Sequence, residues 1–163
     1  MPPFYDIYGF SKNRTAAFIE EFISKFTDRN SIESWPECEI HIYPNEDYGI
    51  KEKFISVNSL TEVISFGIKN PQLGFSFYLG KSKTHRDIKD IILKFTFDGY
   101  VIVGLSIEAN LANGQDNKTN ANKLKETLLQ NPQIIDALTG IEEGPVDDFE
   151  EFMEVKKRYT TPK

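Results

Sequence analysis

The order of apolar periods along this chain predicts an α+β fold. It would be one domain, residues 1–163, with a mainly antiparallel sheet whose central hairpin spans about 88–108 and which several helices pack against. Three observations predict it. "CEIHIYP", "LGFSFYLGK" and "VIVGLSIE" have the length and apolar content of strands. "RTAAFIEEFISKF" and "SLTEVISFGIK" repeat their apolar residues at helical spacing. Asp98-Gly99 separates two runs of β-formers, a hairpin signal and not a crossover.

Taken in order, "FYDIY" predicts a first strand over Phe4–Tyr8. A helix over about Arg14–Thr27 follows, capped by Ser11 or Asn13, with Ile19, Phe22, Ile23 and Phe26 on its buried stripe. "CEIHIYP" alternates as a strand, "NEDYG" is turn-like, and "KFISVNS" returns as a strand. Ser59 with Glu62 three residues on forms a capping box for a helix over about Leu60–Lys69, and Pro71 follows its end. "LGFSFYLGK" is a strand, then comes the basic loop "KSKTHRD". A two-residue turn at Asp98-Gly99 pairs Phe97 with Tyr100, Phe95 with Ile102 and Leu93 with Gly104. The run from Tyr100 to Ile107 is apolar on both faces, as a central strand covered on both sides would be. Gly104 weakens such a strand unless a neighbour needs the room. The Asn-rich "ANLANGQDNKTNAN" predicts an exposed loop. Helices are expected over about Lys123–Gln130, within "NPQIIDALTG" with Gly140 as its stop, and in "DDFEEFMEVKKRY".

Composition bounds the function classes. Thirteen Phe and 13% aromatic residues are far too many for a disordered chain. A net charge of −6 opposes nonspecific binding to nucleic acid or anionic lipid, which needs a surplus of Lys and Arg. The single cysteine, Cys38, excludes an intramolecular disulfide and suits a reducing cytoplasm. "MPPFYDIYGF" lacks the basic and apolar regions of a signal peptide, and no apolar run approaches the ~20 residues of a membrane span. The expected location is therefore cytoplasmic, with no membrane and no nucleic acid among the partners.

Most site chemistries fail on residue type or spacing. Cys38 and His41 would lie on opposite faces of a strand, so neither a zinc pair nor a nucleophilic dyad is expected. Reading Gly114 as the glycine of a calcium loop puts Ala109 and Leu111 where oxygen ligands belong. There is no Gly-x-Ser-x-Gly elbow and no phosphate-binding glycine loop. No cofactor and no catalytic or metal-binding residue is predicted. One charge pattern stands out. Glu142, Glu143, Asp147, Asp148, Glu150, Glu151 and Glu154 fall within thirteen residues, with no Lys or Arg among them. Those on the last helix precede Lys156, Lys157 and Arg158, an order that also suits the helix dipole. Dense single-sign charge steers association, so Glu142, Glu143, Asp147, Asp148, Glu150 and Glu151 are the candidate partner-binding residues. The basic loop, with Lys81, Lys83, His85 and Arg86, has no interleaved aromatic residues for stacking on bases.

"DIYGFSKNR", "ILKFTFDGYVIVGLSIE" and the acidic C-terminal end together resemble bacterial immunity proteins of polymorphic or contact-dependent toxin systems. The resemblance implies a cytoplasmic, non-catalytic inhibitor that binds one toxin domain. The charge suggests that the toxin domain is basic and that an acidic surface occludes it, with Trp35 and Tyr48 as candidate aromatic anchors. The alternative is an α+β enzyme or small-ligand protein with a carboxylate and Tyr site that sequence alone does not locate. A third reading is an oligomerising module that pairs through a free sheet edge.

Overall fold

The structure, a computed structural model, describes residues 3–29, 38–44 and 53–160, with backbone alone at 38–44 and 53–54. Trp35 and Tyr48 lie outside the described residues, as do the side chains of Cys38 and His41. Eleven elements follow one another: β1 (Phe4–Ser11), α1 (Ala16–Phe26), β2 (Cys38–Pro44), β3 (Lys53–Val57), α2 (Leu60–Lys69), β4 (Leu73–Gly80), β5 (Ile88–Phe95), β6 (Val101–Glu108), α3 (Lys118–Leu129), β7 (Ile134–Ile141) and α4 (Phe149–Thr160). The strands form one sheet in the order β3-β2-β4-β5-β6-β1-β7. Every pairing is antiparallel, and the β5–β6 hairpin sits at the centre. The expected α+β class and central hairpin are present.

The two sheet faces are covered unequally. Along β1 and β6 the side chains alternate, as strand geometry requires. Tyr5, Ile7, Val101, Val103, Leu105 and Ile107 meet the apolar stripes of α1 and α2 and Ala121 and Leu128 of α3. Tyr8, Phe10 and Ile102 face the other way and meet α4 through Phe152 and Val155. Three helices thus cover one face and a single helix covers part of the other.

Local sequence explains the helix starts. Thr15, two residues past Asn13, the nearer expected cap, accepts from the Phe18 N–H at 3.3 Å and opens α1. Ser59 accepts from the Glu62 N–H at 3.1 Å, and Glu62 reaches back to the Asn58 N–H at 2.9 Å. Arg14, just before α1, is 9% exposed and lies over the Phe95 ring. Its guanidinium donates to the carbonyls of Gly67 and Asn70 at the end of α2, of Leu73 at the start of β4, and of Thr96 after β5, at 2.7–3.0 Å.

Three expectations are corrected. "NPQIIDALTG" is the edge strand β7, not a helix; Asn131 accepts from the Ile134 N–H to close the turn, and the following residues pair along β1. Tertiary pairing and β-branched Ile134, Ile135 and Thr139 override the helix-like Pro and Gly positions. Gly140 lies inside this strand because a Cβ there would meet Glu143 Cγ at 2.5 Å and the Tyr159 ring at 2.9 Å. Next, α3 begins at Lys118, five residues before the expected start, and residues 110–116 ahead of it form the expected exposed loop. Asn110 bridges Asp116, and buried Asn117 donates to the Glu108 carbonyl at 2.8 Å.

Finally, the central hairpin turns through three residues, 97–99, not two. The Thr96 N–H donates to the Tyr100 carbonyl at 3.1 Å, and Gly99 takes φ +89°. Phe95 therefore pairs with Val101, Leu93 with Val103 and Ile92 with Gly104. A one-residue change of register exchanges the faces of one strand relative to the other. Asp98 is drawn off to α4, where its carboxylate accepts from the Phe149 N–H at 3.0 Å.

Candidate functional site

Three cross-strand rows occupy the face that α4 shares. Asp136, Phe10, Ile102, Lys94 and Ser76 are successive partners across β7, β1, β6, β5 and β4. This row lies beneath the start of α4. Phe10 is ringed by Tyr100, Phe149 and Phe152 at centroid distances of 5.0–5.1 Å, and Lys94 pairs with Asp147 at 2.7 Å. The next row is Leu138, Tyr8, Gly104, Ile92 and Tyr78, and the one beyond it is Gly140, Asp6, Ser106 and Asp90. Beyond α4, Tyr8, Ile92 and Tyr78 of the one row and Asp6, Ser106 and Asp90 of the other line an open cleft of about 310 Å³, together with Phe4, Lys89 and residues 142–144.

Gly104 shapes the floor. A Cβ at that position would lie 2.6 Å from Tyr8 Cδ1 and 3.2 Å from Ile92 Cβ, so the Tyr8 ring takes the room the missing side chain leaves. Bulges shape one side. Leu79 is extra in β4 and Lys89 in β5, and the Asp90 carboxylate accepts from the Gly80 N–H across the first of them at 3.0 Å. Residues after β7 form the opposite wall. Glu142 has φ +53°, an uncommon conformation for a residue with a side chain. Its N–H donates to the Phe4 carbonyl at 3.0 Å, and its carboxylate accepts from the Phe4 N–H at 2.6 Å. The Tyr8 hydroxyl donates to the Glu143 carbonyl at 2.6 Å, and the Glu143 N–H donates to Asp6. The Tyr159 hydroxyl, from the last turn of α4, donates to the Glu143 carboxylate at 2.6 Å.

The electrostatics follow from burial. Asp6 is 8% exposed, and burial pushes its carboxyl up to about 6. Donation from Ser106 Oγ and the Glu143 N–H opposes the rise, while the charges of Glu142 and Glu143 add to it. Burial also raises Asp90. Burial and the surrounding carboxylates raise the Tyr8 phenol. Among the described residues neither Asp6 nor Asp90 is in an ion pair, whereas Lys89 is 3.6 Å from Glu108. The cleft combines net negative charge with tyrosine walls, an arrangement suited to organic cations.

The six acids expected to bind a partner divide between two places. Glu142 and Glu143 line the cleft. Asp147, Asp148, Glu150 and Glu151 surround the N-terminus of α4. Asp148 accepts from the Glu151 N–H and Glu151 from the Asp147 N–H, both at 2.8 Å, while Asp147 pairs with Lys94 and Glu150 is exposed. Sequence reasoning missed Asp6, Tyr8, Tyr78, Asp90 and Ser106. Their alternation with apolar residues was a signal, but assembling them required the order of β4, β5, β6 and β1. In the basic loop, buried Ser82 bonds the Phe26 carbonyl and accepts from the His85 N–H at 2.8 Å, and the His85 ring packs on Phe26 at 5.5 Å. Among the described residues no group of three or more His, Cys, Asp or Glu is placed to hold a metal, and no helix is long and apolar enough to cross a membrane. No family model, no curated protein and no solved structure matches the chain.

Proposed function

We propose that this chain is a non-catalytic protein-binding domain of the immunity type, which neutralises a basic toxin domain in the cytoplasm by occluding it with an acidic surface. One observation carries the reading. The half of the sheet face beyond α4 is an open cleft floored by Asp6 and Asp90, carboxylates outside any ion pair among the described residues, with Glu142 and Glu143 on its wall. Acids left without cations on an open face complement a basic partner, and such complementarity speeds encounter and selects among partners. The exposed Glu150 and half-exposed Asp147 extend the negative surface over the start of α4. The test is co-expression with the product of the adjacent gene. A complex that survives gel filtration at micromolar concentration, weakens as salt rises and relieves growth inhibition is expected. Failure to form a complex at that concentration overturns the proposal.

A second reading has its own support. The Asp6 carboxyl, raised to about 6 at the floor of a cleft beside Tyr8, Tyr78 and Ser106, is a group of the kind enzymes and ligand-binding proteins place at their sites. The same cleft would then hold a small cationic ligand. Thermal stabilisation by spermidine or arginine amide, without a protein complex, would favour it over the first.

A further inference from the structure

The acidic-surface reading does not say which part of a partner the cleft receives. From the cross-strand rows we infer that the cleft is a receptor for one arginine side chain of the protein partner, with its guanidinium between Asp6 and Asp90 and its flat face on the Tyr78 ring. The inference rests on the proposed protein-binding role and deepens it.

Four features select this occupant. The volume, about 310 Å³, lies at the lower end of the ~300–1,000 Å³ range of small-ligand pockets, so it fits one long side chain better than a folded element. Tyr78 is 50% exposed in the last paired stretch of β4, the one large exposed aromatic ring in the cleft. A planar cation stacks on such a face. Asp6 and Asp90 both pair with Ser106, so two carboxylates flank one strand position. A forked donor matches carboxylates there better than an ammonium, which is a point charge. Lys89 is the cation of the cleft itself, and it is paired with Glu108 at 3.6 Å. The remaining wall acids have other partners in the fold, Glu142 at the Phe4 N–H and Glu143 at Tyr159. Asp6 and Asp90 also accept within the fold, from Ser106 and the Glu143 N–H and from the Gly80 and Ile91 N–H groups, yet neither is in an ion pair among the described residues, and both flank the same position of β6.

The test is amide NMR of the full chain titrated with acetyl-Gly-Arg-Gly-amide, and with the citrulline peptide of the same shape as an uncharged control. The expected result is saturable shifts at Asp6, Tyr78, Asp90 and Ser106 for the arginine peptide only. Asp90→Asn and Tyr78→Ala, both on the open face, should each weaken binding at least tenfold. Glu126→Gln, exposed on α3 across the sheet from the cleft, should leave it unchanged. A lysine peptide should bind at least fivefold more weakly. Shifts that map to Glu150 and Asp148 and survive Asp90→Asn would overturn the arginine receptor while leaving the acidic-surface reading standing. No shift anywhere, with a toxin complex still forming in co-expression, would overturn the receptor alone. No shift and no complex would overturn both.

Discussion

Two residues show how single side chains decide this fold. Arg14 brings a full charge into a place where it has no ion pair among the described residues and satisfies it with backbone carbonyls from three separate segments. Burial lowers its pKa to about 10, and the charge of Asp98 works against that fall. Arg14→Met would leave those carbonyls without their donor, at a cost of about 3 kcal/mol or more, read from the urea midpoint. Arg14→Lys should recover only part of that loss, because one ammonium cannot reach carbonyls that the guanidinium fork serves on both edges. Gly104 is the opposite case, a residue kept for what it lacks. Gly104→Ala puts a methyl group 2.6 Å from the Tyr8 ring, which is 3% exposed and tied by its hydroxyl to Glu143. The expected cost is about 1–3 kcal/mol. The ring should move with the Glu143 wall, so the aromatic signals of Tyr8 should shift in the variant even where it remains folded.

Among the elements, β7 is the free end of the sheet, and its edge is blunted. Glu142 donates to Phe4 in the β1 ladder, so by the two-residue period the odd positions of β7 turn their backbone groups outward. The Ala137 N–H is taken by its neighbour's carboxylate, Asp136 Oδ1, at 2.9 Å, and Asp136 is held by Lys156 of α4. The Ile141 N–H donates to the Tyr159 hydroxyl. Two outward donors are thus closed by side chains, a device that protects an edge carrying exposed Ile135 and Ile141. The double variant Asp136→Ala, Tyr159→Phe should reopen the edge, and sedimentation at rising concentration should show more self-association than in the parent. No difference would refute this account of the edge. Helices with a capping residue and a clear apolar stripe, α1 and α2, were legible in the sequence. So were strands bounded by turn residues. The strand β7 was not, because Pro132 and Gly140 carry the marks of helix ends and only pairing with β1 gives them another meaning. The hairpin register was misread for a related reason. Asp98-Gly99 signals a two-residue turn locally, but Arg14 on the Thr96 carbonyl and α4 on Asp98 favour the longer loop.

At the scale of the whole molecule, the unequal covering of the sheet creates the site, and no short motif could have announced it. The acidic band from 142 to 154 was legible as charge. Its division between a cleft wall and a helix start depends on where α4 packs. The residues facing the cleft floor come from β1, β4, β5 and β6, and their charge has a thermodynamic signature. Asp6 titrates near 3.9 in an unfolded chain and near 6 in the folded one, so between those values the folded state binds more protons. Stability must therefore fall as pH rises through about 4 to 6, and Asp90, raised in the same direction, adds to the fall. The loss from Asp6 is on the order of 3 kcal/mol and is nearly complete about one pH unit above its folded pKa. Asp6→Asn keeps the shape and a hydrogen-bonding group for Ser106 but removes the buried charge. It should be more stable than the parent at pH 7.5, with a flatter profile of urea midpoint between pH 4 and 6. The same substitution should weaken binding of a cationic partner. A charge that costs stability at neutral pH and is still present there has the character of a functional group, since stabilising changes at a site commonly impair its function. If Asp6→Asn is less stable than the parent at every pH, the carboxylate is a structural clamp for the Glu143 N–H and the functional argument from its cost fails.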